Sequence, residues 1–185
     1  MDNISTFTGK RLFILRHQQA LNNGDSDKTR HLSPKGKEDA IALGVAMKRA
    51  NYTPDLILCS PALRTKQTLE GLAQHIKCDE IETPDILYSG STGDYLYEIQ
   101  KISDDYNDVL ILAHNPSIYE LVILLAAQGP DAAQHRLSEG YSPGSLSVIE
   151  CASDKWAKIQ PVENTLRQII SPIDYNAPSR PTRWM

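Results

Sequence analysis

No run of apolar residues in this chain approaches the length needed to cross a bilayer, and the polar segment Met1 to Lys10 lacks the apolar stretch of a secretory signal. No membrane partner is therefore expected. Cysteine is scarce: Cys59, Cys78 and Cys151 are odd in number and far apart, which argues against a disulfide framework and favours a reducing, cytoplasmic setting. Neither a Cys-x-x-Cys nor a His-x-x-x-His spacing occurs, so a zinc site built on His17, His31, His114 or the cysteines is disfavoured and no metal is expected. The Gly-x-x-x-x-Gly-Lys and Gly-x-Gly-x-x-Gly loops that cradle nucleotides are missing as well. Positive charge is in deficit, with a net −4 at pH 7, which speaks against nucleic acid as a partner. Internal repeats are not evident, and nothing marks a self-complementary surface that would fix an oligomeric state.

What is present suffices for one core. At 185 residues, 41% hydrophobic and 23% charged, the chain reads as a globular domain over residues 1–160. From Pro161 onward it carries Pro172, Pro178 and Pro181 without periodicity, so residues 161–185 are read as a tail, extended or partly disordered. Against the acidic whole, the stretch from Lys10 to Lys37 is basic, with Lys10, Arg11, Arg16, Lys28, Arg30, Lys35 and Lys37 against Asp25 and Asp27. A local field of that sign steers anionic substrates.

One plan occurs three times: an apolar strand, then polar residues able to hold an anion, then in two cases a proline that can open a helix. Leu12-Phe13-Ile14-Leu15 runs into Arg16-His17; Leu56-Ile57-Leu58-Cys59 runs into Ser60-Pro61 with Arg64; Val109 to Ala113 runs into His114-Asn115-Pro116. Ser33-Pro34 gives a cap and a first-turn proline for a helix through Lys48, Ser60-Pro61 repeats that signal for a helix through about Ile76, and Asn115-Pro116 for one from Ser117 to about Ala127. A short strand is expected near Ile81, and Leu96, Ile99 and Ile102 are read as a helix. Ser145 to Glu150 alternates as a strand, paired in this reading with Trp156 to Gln160 as a hairpin at one side of the sheet. Strand alternating with helix implies an α/β fold: three layers, α/β/α, with a mostly parallel central sheet covered by helices on both faces. Ligands of such sheets sit at the carboxyl ends of the strands, so the three clusters converge.

Arg64, in the first turn of its helix, is placed to grip an anion with a guanidinium fork beside unpaired backbone N–H groups. His114 ends a buried strand. Together with Arg16 and His17 these residues describe a phosphate-handling site.

The segments Leu15-Arg16-His17, Arg30-His31-Leu32-Ser33-Pro34-Lys35-Gly36, Asp55-Leu56-Ile57-Leu58-Cys59-Ser60-Pro61-Ala62-Leu63-Arg64-Thr65-Lys66-Gln67-Thr68 and His114-Asn115-Pro116 resemble the histidine phosphatase superfamily, and within it the SixA-like phosphohistidine phosphatases. The resemblance runs from about Lys10 to about Glu150, including Tyr141-Ser142-Pro143-Gly144-Ser145-Leu146, and implies a phosphoglycerate mutase-like fold. It implies that His17 is the nucleophile of a covalent phosphohistidine intermediate, that Arg16, Arg64 and His114 neutralise the phosphoryl oxygens, and that neither cofactor nor metal takes part. Gln18, Asn23 and Asn115 are expected as further substrate contacts. Gln18 departs from the family, which keeps a glycine after the Arg-His pair, and it is expected to bring a larger side chain near the phosphate. Two flanking arginines should lower the His17 pKa and keep its attacking nitrogen free. No clear general acid emerges: Asp94 and Glu98 read as solvated helix charges. A missing acid favours phosphoramidates over esters, since protonated phosphohistidine expels neutral imidazole and an ester must expel an alkoxide. The expected substrate is a protein phosphohistidine; a small phosphorylated metabolite, or a binding module that recognises phosphate without turning it over, are the alternatives.

Overall fold

Four consecutive side chains of β1 (Arg11–Arg16), from Leu12 to Leu15, are completely buried, and the same holds for nearly all of β2 (Leu56–Cys59) and β4 (Asp108–Ala113). A strand covered on both faces needs an apolar side chain at every position, which is why these segments are continuous apolar runs. Successive side chains still point to opposite faces. Leu12, Ile14, Leu58, Val109 and Ile111 enter one core layer, and Phe13, Leu15, Ile57, Leu110 and Leu112 enter the other. The computed structural model describes residues 7–22 and 24–176; Asn23 lies outside the described residues.

The sheet has seven strands. With β3 (Glu80–Glu82), β5 (Ala126–Gln128), β6 (Leu146–Glu150) and β7 (Asn164–Ile170), the order is β3-β2-β4-β1-β6-β7-β5. Every pairing is parallel except those of β6 with β1 and with β7, so β6 alone runs against the rest. Leu43 and Met47 of α1 (Pro34–Arg49) and Leu72 of α2 (Leu63–Leu72) cover the face of Phe13 and Leu15. The opposite face is covered by Leu87 of α3 (Ile86–Ser89), Tyr95 and Ile99 of α4 (Thr92–Gln100), Ile118, Leu121 and Leu125 of α5 (Ser117–Leu125), and Leu137 of α6 (Asp131–Ser138). Each such buried leucine or isoleucine contributes roughly 1.5–3 kcal/mol. This is the three-layer α/β/α arrangement with a mostly parallel sheet.

Several elements differ from the sequence reading. The hairpin partner of β6 is β7, seven residues from within the presumed tail, and not the segment 156–160. A register shift between Val148 and Ile149 leaves Arg167 as an extra residue, so Leu166 and Ile169 are buried with two exposed residues between them, and the bulge erases the alternation that marks a strand. Trp156–Lys158 is instead a single 3-10 turn, with the Trp156 ring fully buried and its Nε1 donating to the Tyr106 carbonyl at 2.8 Å. α2 starts at Leu63, because the Ser60 hydroxyl is engaged elsewhere, and stops at Leu72, after which Gln74 and His75 tighten into three-residue turns. Asn115 does not cap α5; Pro116 occupies that position. The chain then returns through α7 (Pro172–Tyr175) against α1.

Candidate active site

Register brings the three clusters together. Arg16 of β1 lies opposite Ala113 of β4, and Leu112 opposite Cys59 of β2, so His17, His114 and Ser60 are the first residues past three adjacent strand ends. The backbone N–H of His17 donates to the Ala113 carbonyl at 3.2 Å and that of Ser60 to Leu112 at 2.9 Å, which continues the ladder into the site. The His17 and His114 rings stand 5.1 Å apart between centroids.

Two neighbours fix the state of His17. Its Nδ1 is 2.7 Å from the Gln18 carbonyl, which can only accept, so Nδ1 carries the proton. Its Nε2, 3.3 Å from Arg64 Nε, receives that group's N–H and is therefore the nitrogen with the lone pair. Burial pulls the imidazole down to about 4; the Gln18 carbonyl opposes this, and Arg64, Arg16 and Arg30 add to it. Desolvation thus outweighs the like-charge repulsion expected from the arginines. The ring is neutral at pH 7, and the Arg64 Nε–H covers the lone pair.

His114 is buried, with Nε2 2.7 Å from the Ser60 hydroxyl. We assign the hydroxyl as donor, which puts the His114 proton on Nδ1, a buried atom without a hydrogen-bond partner among the described residues. Burial first, then His17 and Arg64, hold this ring down to about 3. Arg16 donates from Nη1 to the Tyr141 carbonyl at 2.6 Å, and its buried Nε has no partner among the described residues. Leaving such donors unsatisfied is costly, and an anion placed here would receive both.

Asp27, read in the sequence only as countercharge, lies at the heart of this arrangement. Arg64 donates from Nη1 to the Asp27 carbonyl at 2.6 Å and from Nη2 to its carboxylate at 3.0 Å. The same carboxylate receives the Tyr88 hydroxyl at 3.0 Å and Arg30 Nη1 at 3.0 Å. Desolvation is the largest single influence and raises its pKa, but the donors Arg30, Tyr88 and Arg64 together prevail and hold it at about 2. The Tyr88 ring meets His114 edge-on at 5.8 Å.

The remaining candidates divide. Asn115 donates from Nδ2 to the Tyr141 carbonyl at 3.1 Å, the carbonyl that also receives Arg16, and its buried Oδ1 has no partner among the described residues. The Gln18 side chain is completely buried and its Nε2 donates to the Tyr175 hydroxyl at 3.0 Å, so it is not exposed to a ligand as expected. Asp94 closes a capping box with Ser91 at the start of α4, and Glu98 pairs with Lys101 at 2.8 Å. Both are helix charges. Among the described residues no group of three His, Cys, Asp or Glu side chains is disposed to hold a metal ion. Sequence reasoning missed Ser60 as a partner of His114, although it ends a strand as His17 and His114 do; for Tyr88 and Tyr175 no local signal existed.

The chain is similar to several known proteins. Residues 12–95 match the model of the histidine phosphatase superfamily (branch 1). An uncharacterized protein of Mycobacterium tuberculosis is 31% identical over 150 residues, 80% of this chain and 92% of the relative. The phosphohistidine phosphatase SixA homolog of Haemophilus influenzae is 32% identical over 124 residues, 60% of this chain and 74% of the relative. The structure of the protein histidine phosphatase SixA complexed with tungstate superposes with a TM-score of 0.70 at 22% identity, covering 89% of this chain and 98% of that one.

Proposed function

This chain belongs to the histidine phosphatase superfamily, and from that premise we propose that it is a phosphatase acting through a phosphoryl-enzyme on His17, with protein phosphohistidine as its preferred substrate. The observation that supports this most directly is the state of His17: neutral, protonated on Nδ1, and bearing its lone pair on Nε2 beside Arg64. In the first step that lone pair forms the N–P bond as the bond from phosphorus to the leaving group breaks, and the leaving group departs with the bonding electrons. Arg64 shifts its N–H from His17 to a phosphoryl oxygen, while Arg16 Nε and His114 Nδ1 supply donors to others; such pre-organised donors are the main source of rate in phosphoryl transfer. Water then attacks phosphorus, releases orthophosphate and returns the electron pair to Nε2. None of these steps calls on a metal.

The leaving group decides the substrate class. The carboxylate that reaches Arg64, Asp27, is held ionised by three donors, so it is a poor source of a proton for a departing alkoxide. Imidazole already protonated on its far nitrogen leaves without such help. The SixA relatives are described as phosphohistidine phosphatases, which points the same way. The free thiols Cys59 and Cys151, both buried, and Cys78 fit a reducing compartment such as the cytoplasm.

Turnover of a phosphohistidine protein and of a panel of alkyl phosphate monoesters should be compared for wild type and His17→Ala, with phosphoryl label followed on the enzyme. The expected result is an acid-labile, base-stable label on His17 that turns over, faster release from phosphohistidine than from the esters, and no label or turnover in the variant. Much faster ester hydrolysis would overturn the substrate class. Binding of phosphate without any label on wild type would make the protein a recognition module instead.

A further inference from the structure

Gln18 stands where the resemblance calls for glycine, and its side chain does not face the ligand. It is fully buried, and its Nε2 donates at 3.0 Å to the hydroxyl of Tyr175, which lies 157 residues further along the chain. That hydroxyl in turn donates to the Gly144 carbonyl at 3.0 Å. The Gly144 N–H points back to the carbonyls of Arg16 and His17, at 3.2 and 3.1 Å. Gly144 has a φ of +81°, and a Cβ there would collide with Gln18 Oε1 and with the Tyr175 hydroxyl, so the three residues fit together only as they are.

Tyr175 is itself held from three sides. Its helix opens with a capping box between Ser171 and Asp174, Asp174 takes both Nη atoms of Arg136 in α6 at 2.6 and 2.7 Å, and Asn176 donates to the buried Asp39 of α1 at 2.6 Å. The ring packs against the core layer that contains Leu15 and Leu146. A four-residue helix so anchored presents its hydroxyl at one fixed point behind the nucleophile loop.

We propose that Tyr175 is a positioning residue for His17: through Gln18 it holds the peptide whose carbonyl receives the His17 Nδ1 proton, and so keeps the lone pair on Nε2. The need is chemical. A free histidine side chain favours the opposite tautomer, with the proton on Nε2, and in that form the nitrogen beside Arg64 has no lone pair to attack with. From the other side the Gln18 N–H is tied to Thr68 Oγ1 at 3.1 Å, and Thr68 to the Arg64 carbonyl at 2.8 Å, so the two peptides that flank the Gln18 Cα are registered one to Arg64 and the other to the His17 ring. The glutamine, which a loop built for glycine has no use for, is thereby turned into the link between the nucleophile and a helix near the far end of the chain. The proposal rests on His17 being the nucleophile.

Tyr175→Phe removes only the hydroxyl. The expected result is a loss of roughly fivefold in kcat, the rate equivalent of one neutral hydrogen bond, with little change in KM. Nitrogen NMR of the His17 ring should show the Nδ1–H form in wild type and a mixture of tautomers in the variant. In a Gln18→Gly background, where the link is already cut, Tyr175→Phe should lower kcat no further. A variant that loses thermal stability while kcat and the ring spectrum stay as in wild type would overturn the proposal, as would an equal loss of kcat in both backgrounds. Absence of phosphoryl label on wild-type His17 would overturn the nucleophile assignment separately, and the ring spectrum would still judge Tyr175.

Discussion

The Asp27 carboxylate and the Arg64 guanidinium are paired at 3.0 Å beside His17, so the cation proposed to grip a phosphoryl group already has an anion supplied by the chain itself. The Arg64 side chain is buried and that of Asp27 half exposed. On the proposed reading, a phosphate dianion would have to share or displace this partner, and the pairing would set how strongly the site holds it.

Asp27→Asn should therefore bind tungstate or orthophosphate more tightly, by roughly fivefold, since a half-exposed ion pair is worth about 1 kcal/mol. Titration calorimetry reads this directly. Weaker binding would mean that Asp27 orients Arg64 for the ligand and does not compete with it.

Arg64→Ala should lower kcat by about 10²–10³, the usual loss for one pre-organised donor to a developing charge. It also leaves Asp27 with Arg30 as its remaining guanidinium partner. Arg64→Lys should recover little, because a lysine cannot reach His17 and both Asp27 oxygens from one planar fork. A variant that loses thermal stability and keeps its kcat would reduce Arg64 to a structural ion pair.

Ser60→Ala leaves the buried Nε2 of His114 without its 2.7 Å partner and frees the ring to change tautomer. Loss of a buried partner costs about 1–3 kcal/mol, so the expected outcome is a lower melting temperature together with a fall in kcat of about tenfold. Both readouts are needed: unchanged kcat would remove Ser60 from the phosphate site.

The two histidines also make stability depend on pH with a definite sign. His17 and His114 sit at about 4 and about 3 in the folded protein against 6.5 when unfolded, so between these values the unfolded chain binds more protons. Their contribution is complete above about pH 6.5 and is lost as the pH falls toward 4 and below. Asp27, held at about 2, acts in a lower window. Thermal melts should give a lower midpoint at pH 5 than at pH 7.5, and replacing both histidines by asparagine should flatten that difference. An unchanged slope in the double variant would assign the pH dependence to other groups.

Much of this arrangement was legible because it is local. The apolar runs ending at Arg16 and Ala113 announce buried strands, and a strand end is a fixed place in a parallel sheet, so the meeting of His17, Arg64 and His114 follows from topology. What stayed hidden depends on distant partners. The bulge at Arg167 broke the alternation of β7, and prolines on either side made an interior strand look like a tail. Gln18 was read as an intrusion into the pocket because nothing near it in sequence reveals Tyr175. Asp27 sat in plain view among basic residues, but its pairing with Arg64 and Tyr88 joins three separate segments.

Translation delivers these parts in a fixed order. When the ribosome has completed β6, the sheet still has no strand to join β6 to β5, and the loop bearing the nucleophile lacks Tyr175 behind it. Only the last short stretch of the described chain supplies both. On the proposed reading, a chain cut after Ile170 would keep all seven strands together with His17, Arg64 and His114, yet lack the hydroxyl that stands behind the His17 loop.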